Sequence, residues 1–154
     1  MGVSVHHLPF FVETTEEDFD NDVLKVQGFT MVVFYRNTCG ACKAFEPVIN
    51  EFSERNASKM RFVRVPVAFD EDDDFRHKHG IRGEPTSILY YNGAKMFDMR
   101  GAGFEPHLTN TIQNGIMEAA KRGMCPLLTL VMPHPEKSFF YLPETTPPPA
   151  PRPA

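Results

Sequence analysis

Cysteine is scarce: the 154 residues contain three, an odd number that leaves one thiol over when any two pair. So sparse a count is no extracellular disulfide framework, and a close pair in such a chain points to redox or metal chemistry. Tryptophan is missing altogether. Positive charge is not in excess: 16 Lys and Arg stand against 20 Asp and Glu, a formal net charge of -4, which gives no electrostatic reason to expect nucleic acid. No apolar run is long enough to span a bilayer, so no membrane partner is expected. The start, Met1 to His7, lacks a basic stretch followed by a long apolar one, the pattern of a secretory signal. Gly2 is followed at position 6 by His6, where N-myristoylation needs Ser or Thr. The expectation is a cytoplasmic monomer.

What is present suits one α/β domain. The chain is 42% hydrophobic with 14 Phe, enough for a core that needs no disulfide staples. Thr14 and Glu17 stand at capping-box spacing and predict a first helix, with Phe19 and Val23 on one face and an end near Gly28. Met31 to Tyr35 is a continuous apolar run, the pattern of a strand covered on both faces. Ala41, Phe45, Val48, Ile49 and Phe52 follow at helical spacing. Met60 to Val67 reads as a second core strand, with Pro66 near its end. Asp70 to Asp74 reads as the acidic start of a short helix closed by Gly80. Ser87 to Tyr91 and Lys95 to Arg100 flank Asn92-Gly93, a strong hairpin signal. Leu108, Ile112, Ile116 and Ala120 mark a last amphipathic helix ending near Gly123.

The resulting order, β-α-β-α-β-α-β-β-α, predicts a mixed sheet of four to five strands with helices on both faces. The domain is expected over residues 1–123, with an extension over 124–142 in which Leu127 to Met132 forms a short strand or a packed arm. Residues 143–154 are dominated by proline, and a solvated polyproline II or disordered tail is expected.

Cys39-Gly40-Ala41-Cys42 falls at the strand-to-helix junction. A thiolate at a helix N-terminus is stabilised by unpaired backbone N–H groups and the helix dipole, which lower its pKa from about 8.5 toward about 7 in such motifs. Cys39, at the helix end and more exposed, is the expected nucleophile; Cys42, inside the first turn, is the expected resolving thiol. A lone C-x-x-C is also half of a zinc site. Adding His77 and His79 completes one on paper, although residues two apart share a helix face poorly.

The surroundings favour redox chemistry. From about Phe11 to about Ala120 the chain resembles the thioredoxin family. The resemblance is carried by Asp18-Phe19-Asp20 with Asp22-Val23-Leu24-Lys25, by Cys39-Gly40-x-Cys42-Lys43, and by Pro47. Gly80-Ile81-Arg82-Gly83-x-Pro85-Thr86, Asn92-Gly93 and Gly101-Ala102 extend it. The resemblance implies the thioredoxin fold and a cis peptide at Glu84-Pro85 beside an exposed Cys39, with the proline keeping metal from the thiols. It implies substrate contacts at Thr38, Glu84, Pro85, Gly101 and Ala102, and a tuning role for Tyr35, Gly40, Ala41, Lys43 and Asp70. It implies no cofactor beyond the Cys39-Cys42 disulfide, no metal, disulfide-containing protein substrates and a thioredoxin-reductase-like recycling partner.

Several residues depart from the family pattern. Thr38 and Tyr35 stand where Trp is usual, and Ala41 replaces Pro between the cysteines. Val33 replaces a buried aspartate that assists the resolving cysteine, and Pro66 or Arg64 stands about where that aspartate's lysine partner would be. Glu84 is acidic where the family is apolar or has Thr. It either points outward or shapes the site by raising the Cys39 pKa, attracting basic substrates or acting as a base. The expected activity is protein-disulfide reduction; a disulfide oxidase or isomerase, or a binding module with weak turnover, are the alternatives.

Overall fold

The computed structural model describes residues 8–68 and 73–134. Asp70, most of the acidic run, the start of the chain and the proline-rich 143–154 lie outside the described residues.

Five strands form one mixed sheet in the order β1-β3-β2-β4-β5. These are β1 (Phe11–Glu13), β2 (Phe29–Tyr35), β3 (Arg61–Pro66), β4 (Thr86–Tyr91) and β5 (Ala94–Arg100). Strands β1 and β2 both pair with β3 in parallel, and β4 runs antiparallel to β2 and β5. Every residue of β2 is buried, as a continuous apolar run requires of a strand covered on both faces.

Side chains alternate across the sheet, and so divide the core in two. On one face Met31, Val33, Phe62 and Leu89 meet α1 (Gly40–Arg55) and α3 (His107–Lys121). On the other Val32, Phe34, Val63, Val65 and Ile88 meet Phe19, Val23 and Phe75, the last from α2 (Asp74–His79). Helical segments therefore cover both faces.

The predicted first helix is reduced to a single π-helical turn, Asp20–Leu24. Its start also differs: Thr15 Oγ1, not Thr14, accepts the backbone N–H of Asp18 at 3.1 Å. Thr14 is held elsewhere, its N–H donating to Arg64 O at 2.9 Å and its hydroxyl to Asp22. The parallel ladder to β3 thus takes the residue that local spacing assigned to the cap.

Asn92 (φ 52) and Gly93 (φ 82) make the two-residue hairpin turn. A Cβ on Gly93 would lie 1.9 Å from Leu24 O, so the turn closes against the π-helical turn only because the residue is glycine. Gly115 is fixed likewise: a Cβ there would come within 2.5 Å of the Phe97 ring, which lets α3 settle onto β5.

Leu127 to Met132 is a packed arm, not a strand. Its backbone is bound by side chains: Gln113 Nε2 donates to Leu128 O at 2.8 Å and Gln113 Oε1 accepts from Leu130 N–H at 2.8 Å. Asn56 Oδ1 accepts from Val131 N–H at 2.8 Å, and Leu130 is buried in the α1–α3 core. The third cysteine, Cys125, is a buried free thiol in this core, and burial raises its pKa.

Candidate active site

Strand β2 ends at Tyr35 and delivers the chain to Cys39, the N-cap of α1. Cys39 and Cys42 are joined in a disulfide with Cα atoms 5.2 Å apart, a separation such bonds require. Cys39 Sγ also accepts the backbone N–H of Cys42 at 3.1 Å, so it occupies the position of a capping oxygen, facing the unpaired amides of the first turn. Cys39 is barely more exposed than Cys42, 5% against 3%, which corrects the expectation of an exposed nucleophile. The cause is packing: both sulfurs cluster with Tyr35, and Cys39 Sγ lies 3.7 Å from the carbonyl oxygen of Glu84.

The Glu84-Pro85 peptide is cis, as the resemblance implies. Gly101 N–H donates to Pro85 O at 2.7 Å, bringing the loop after β5 to the proline. Thr38, Gly40, Ala41, Gly101 and Ala102 are all exposed around this junction, and Lys43 is half-buried with its N–H on Cys39 O at 3.1 Å. The structure therefore gathers Thr38, Cys39, Glu84, Pro85 and Gly101 at the proline and keeps Cys42 and Tyr35 beneath them.

Glu84 does not point outward. Its side chain is 2% exposed and turned inward, with Arg36 Nε 2.7 Å from Oε1 and Arg76 paired to Oε2. With two guanidiniums on one carboxylate, both oxygens are occupied by arginine and neither is offered to a substrate. What Glu84 presents to the sulfur is its backbone.

A second charged group lies below the disulfide. Strand register places Glu13, Arg64 and Val33 in one row, since Arg64 is the partner of Glu13 on β1 and of Val33 on β2. Arg64 Nη2 donates to Glu46 Oε2 of α1 at 3.1 Å, and both side chains are buried. Arg64 Nη1 reaches Glu13 Oε2 at 3.4 Å, and its guanidinium carbon stands 3.8 Å from the centre of the Tyr35 ring. Tyr35 donates its hydroxyl to Glu13 Oε1 at 2.9 Å; burial, then that bond, raise its pKa to about 12. Val33 lies in the apolar core with Phe45, so β2 carries no buried acid there.

Sequence reasoning missed Arg36, Arg76, Glu13 and Glu46. Glu46 had a signal: four residues after Cys42 and three before Ile49, it is a carboxylate in the apolar stripe of α1. The arginines had none, because their role depends on where Glu84 points. His79, by contrast, packs at 4.8 Å from Phe19 and 4.6 Å from Phe75, and burial lowers its pKa. Among the described residues no three His, Cys, Asp or Glu side chains converge to hold a metal ion, and no helix is long and apolar enough to cross a membrane.

Residues 10–114 match the family model described as Thioredoxin. The chain is 34% identical over 82 residues to a thioredoxin of Pseudomonas aeruginosa, covering 53% of this chain and 74% of that protein. It is 33% identical over 105 residues to thioredoxin C-2 of Corynebacterium nephridii, covering 68% and 95%. With a thioredoxin of Rickettsia bellii the identity is 30% over 102 residues, covering 66% and 95%.

Proposed function

Because the chain belongs to the thioredoxin family and is a thiol–disulfide oxidoreductase, we propose that it reduces protein disulfides, with Cys39 attacking and Cys42 resolving. The observation that carries the assignment is the position of Cys39 Sγ as N-cap, accepting from Cys42 N–H at 3.1 Å. A thiolate formed there meets oriented amide dipoles. Cys39 attacks one sulfur of the substrate disulfide and expels the other as a thiolate. Cys42 then attacks Cys39 in the mixed disulfide, releases the second substrate thiol and closes the Cys39–Cys42 bond.

The backbone around Glu84-Pro85 and the exposed Gly101-Ala102 form the rim on which an extended substrate lies, with Thr38 flanking it. Disulfide-bearing proteins are the substrates of this family, and a reductase returns the pair to dithiol. We place that cycle in the cytoplasm, where a scarce cysteine content is ordinary. Insulin reduction with thioredoxin reductase and NADPH, alongside the reduction potential of the pair, tests the direction of use. Turnover with a potential near about −270 mV is expected, whereas about −120 mV would mark an oxidase.

A further inference from the structure

The resolving step needs a place for the Cys42 proton, and β2 offers none, since Val33 lies in the apolar core. Glu46 is one helical turn beyond Cys42 on the same buried face of α1. Residues four apart on a helix stand about 5–6 Å apart at Cβ, which a glutamate side chain spans directly or through one water. A buried carboxylate is retained as an anion only when paired, and Arg64 supplies that partner at 3.1 Å. The guanidinium also stacks on Tyr35, whose ring shares a cluster with both sulfurs. Arg64 Nε is buried and has no hydrogen-bond partner among the described residues.

We propose that Glu46 accepts the Cys42 proton in the second half of exchange, and that Arg64 and Glu13 position it. The other acids and bases facing this spot are committed. Tyr35 stays protonated near neutrality, its pKa being about 12, and donates to Glu13. Glu84 is held between two arginines. In the step, the Cys42 S–H bond breaks and its proton passes to a Glu46 oxygen. The Cys42 sulfur bonds to Cys39 as the bond from Cys39 to the substrate sulfur breaks. The electron pair leaves on the substrate, which is reduced while the cysteines are oxidised. Glu46 then returns the proton to water. Arg64 links buried Glu46 to Glu13, whose side chain is 55% exposed at the sheet edge, so the charge on the acid stays balanced whichever site holds the proton.

The inference rests on Cys39 attacking and Cys42 resolving, and its test separates the two. Reduced protein is mixed with one equivalent of 5,5′-dithiobis(2-nitrobenzoate), and release of the two thionitrobenzoate equivalents is followed from pH 5 to pH 9. The first equivalent reports attack by Cys39 and the second reports resolution by Cys42. Glu46→Gln is expected to leave the first phase unchanged and to slow the second by about 100-fold at pH 7. Its second phase then accelerates in proportion to hydroxide, while wild type levels off at lower pH. Glu46→Asp restores the levelling. If Glu46→Gln fails to fold because Arg64 loses its counter-charge, Glu46→Gln/Arg64→Met removes both buried charges and carries the same readout. A second phase with wild-type rate and pH profile overturns the role of Glu46 alone; loss of both phases in wild type overturns the reading beneath it.

Discussion

Two of the three Glu-Pro junctions in this chain are built alike and do different work. Glu84-Pro85 and Glu105-Pro106 are both cis, and in both the glutamate is buried against arginine. At the first, the carboxylate is held by Arg36 and Arg76 while the backbone carbonyl faces Cys39 Sγ at 3.7 Å. At the second, Glu105 pairs with Arg55 of α1 and accepts the Thr109 N–H at 3.0 Å in the first turn of α3. One motif anchors a loop at the reacting sulfur; the other bolts α3 to α1 at the far end of that helix. A buried Glu–Arg pair therefore says where the chain is pinned, and only the atoms it leaves facing outward say whether the pin serves chemistry.

The largest effect on stability is expected at the second junction. Glu105→Ala strands Arg55 and leaves the Thr109 N–H without its acceptor, and a loss of about 3–5 kcal/mol in a urea titration is expected. Exchange per folded molecule stays at the wild-type rate. A slowed exchange with intact stability would erase the contrast between the junctions. Glu84→Gln sharpens it from the other side. With the carboxylate gone, Arg36 and Arg76 are no longer balanced beside Cys39, so the pH midpoint of Cys39 alkylation by iodoacetamide should fall. An unmoved midpoint would show that the clamp has no electrostatic hold on the sulfur.

Smaller effects concern the supports of each region. Gln113→Ala removes two hydrogen bonds to the arm, and a loss of about 1–2 kcal/mol with faster amide exchange at Leu130 is expected. Tyr35 has its pKa raised from 10.0 to about 12 in the fold. The folded state holds that proton more tightly, so the contribution to stability is complete below pH 10 and is lost as pH rises toward 12. Comparing denaturation midpoints at pH 9 and pH 11, Tyr35→Phe should lose less than wild type; equal losses would remove Tyr35 from the buried network.

Much of this was legible from the residues. Apolar runs and the Asn92-Gly93 turn set the element order, because a strand covered on both faces and a two-residue hairpin each have few other sequences. The cis bond at Glu84-Pro85 followed from family motifs, whereas its counterpart at Glu105-Pro106 had no motif around it. The N-cap at Thr14 was misread because a tertiary ladder outweighed a local spacing, and Thr15 binds the Asp18 N–H in the turn that leads into the helix. Glu84 was left open for a related reason. Its two arginines come from residues 36 and 76, and nothing local to Glu84 signals that they converge. The arm was ambiguous because its backbone partners are the side chains of Gln113 and Asn56, which no strand pattern encodes.

The central claim is that Cys39 attacks and Cys42 resolves, and trapping tests it most directly. Reduced Cys42→Ser and Cys39→Ser are incubated with insulin at pH 7, quenched with acid and mapped by mass spectrometry. The account predicts a stable insulin adduct on Cys39, the N-cap sulfur, in Cys42→Ser and little or none on Cys42 in Cys39→Ser. Equal adducts in the two variants, or an adduct formed faster on Cys42, would contradict it.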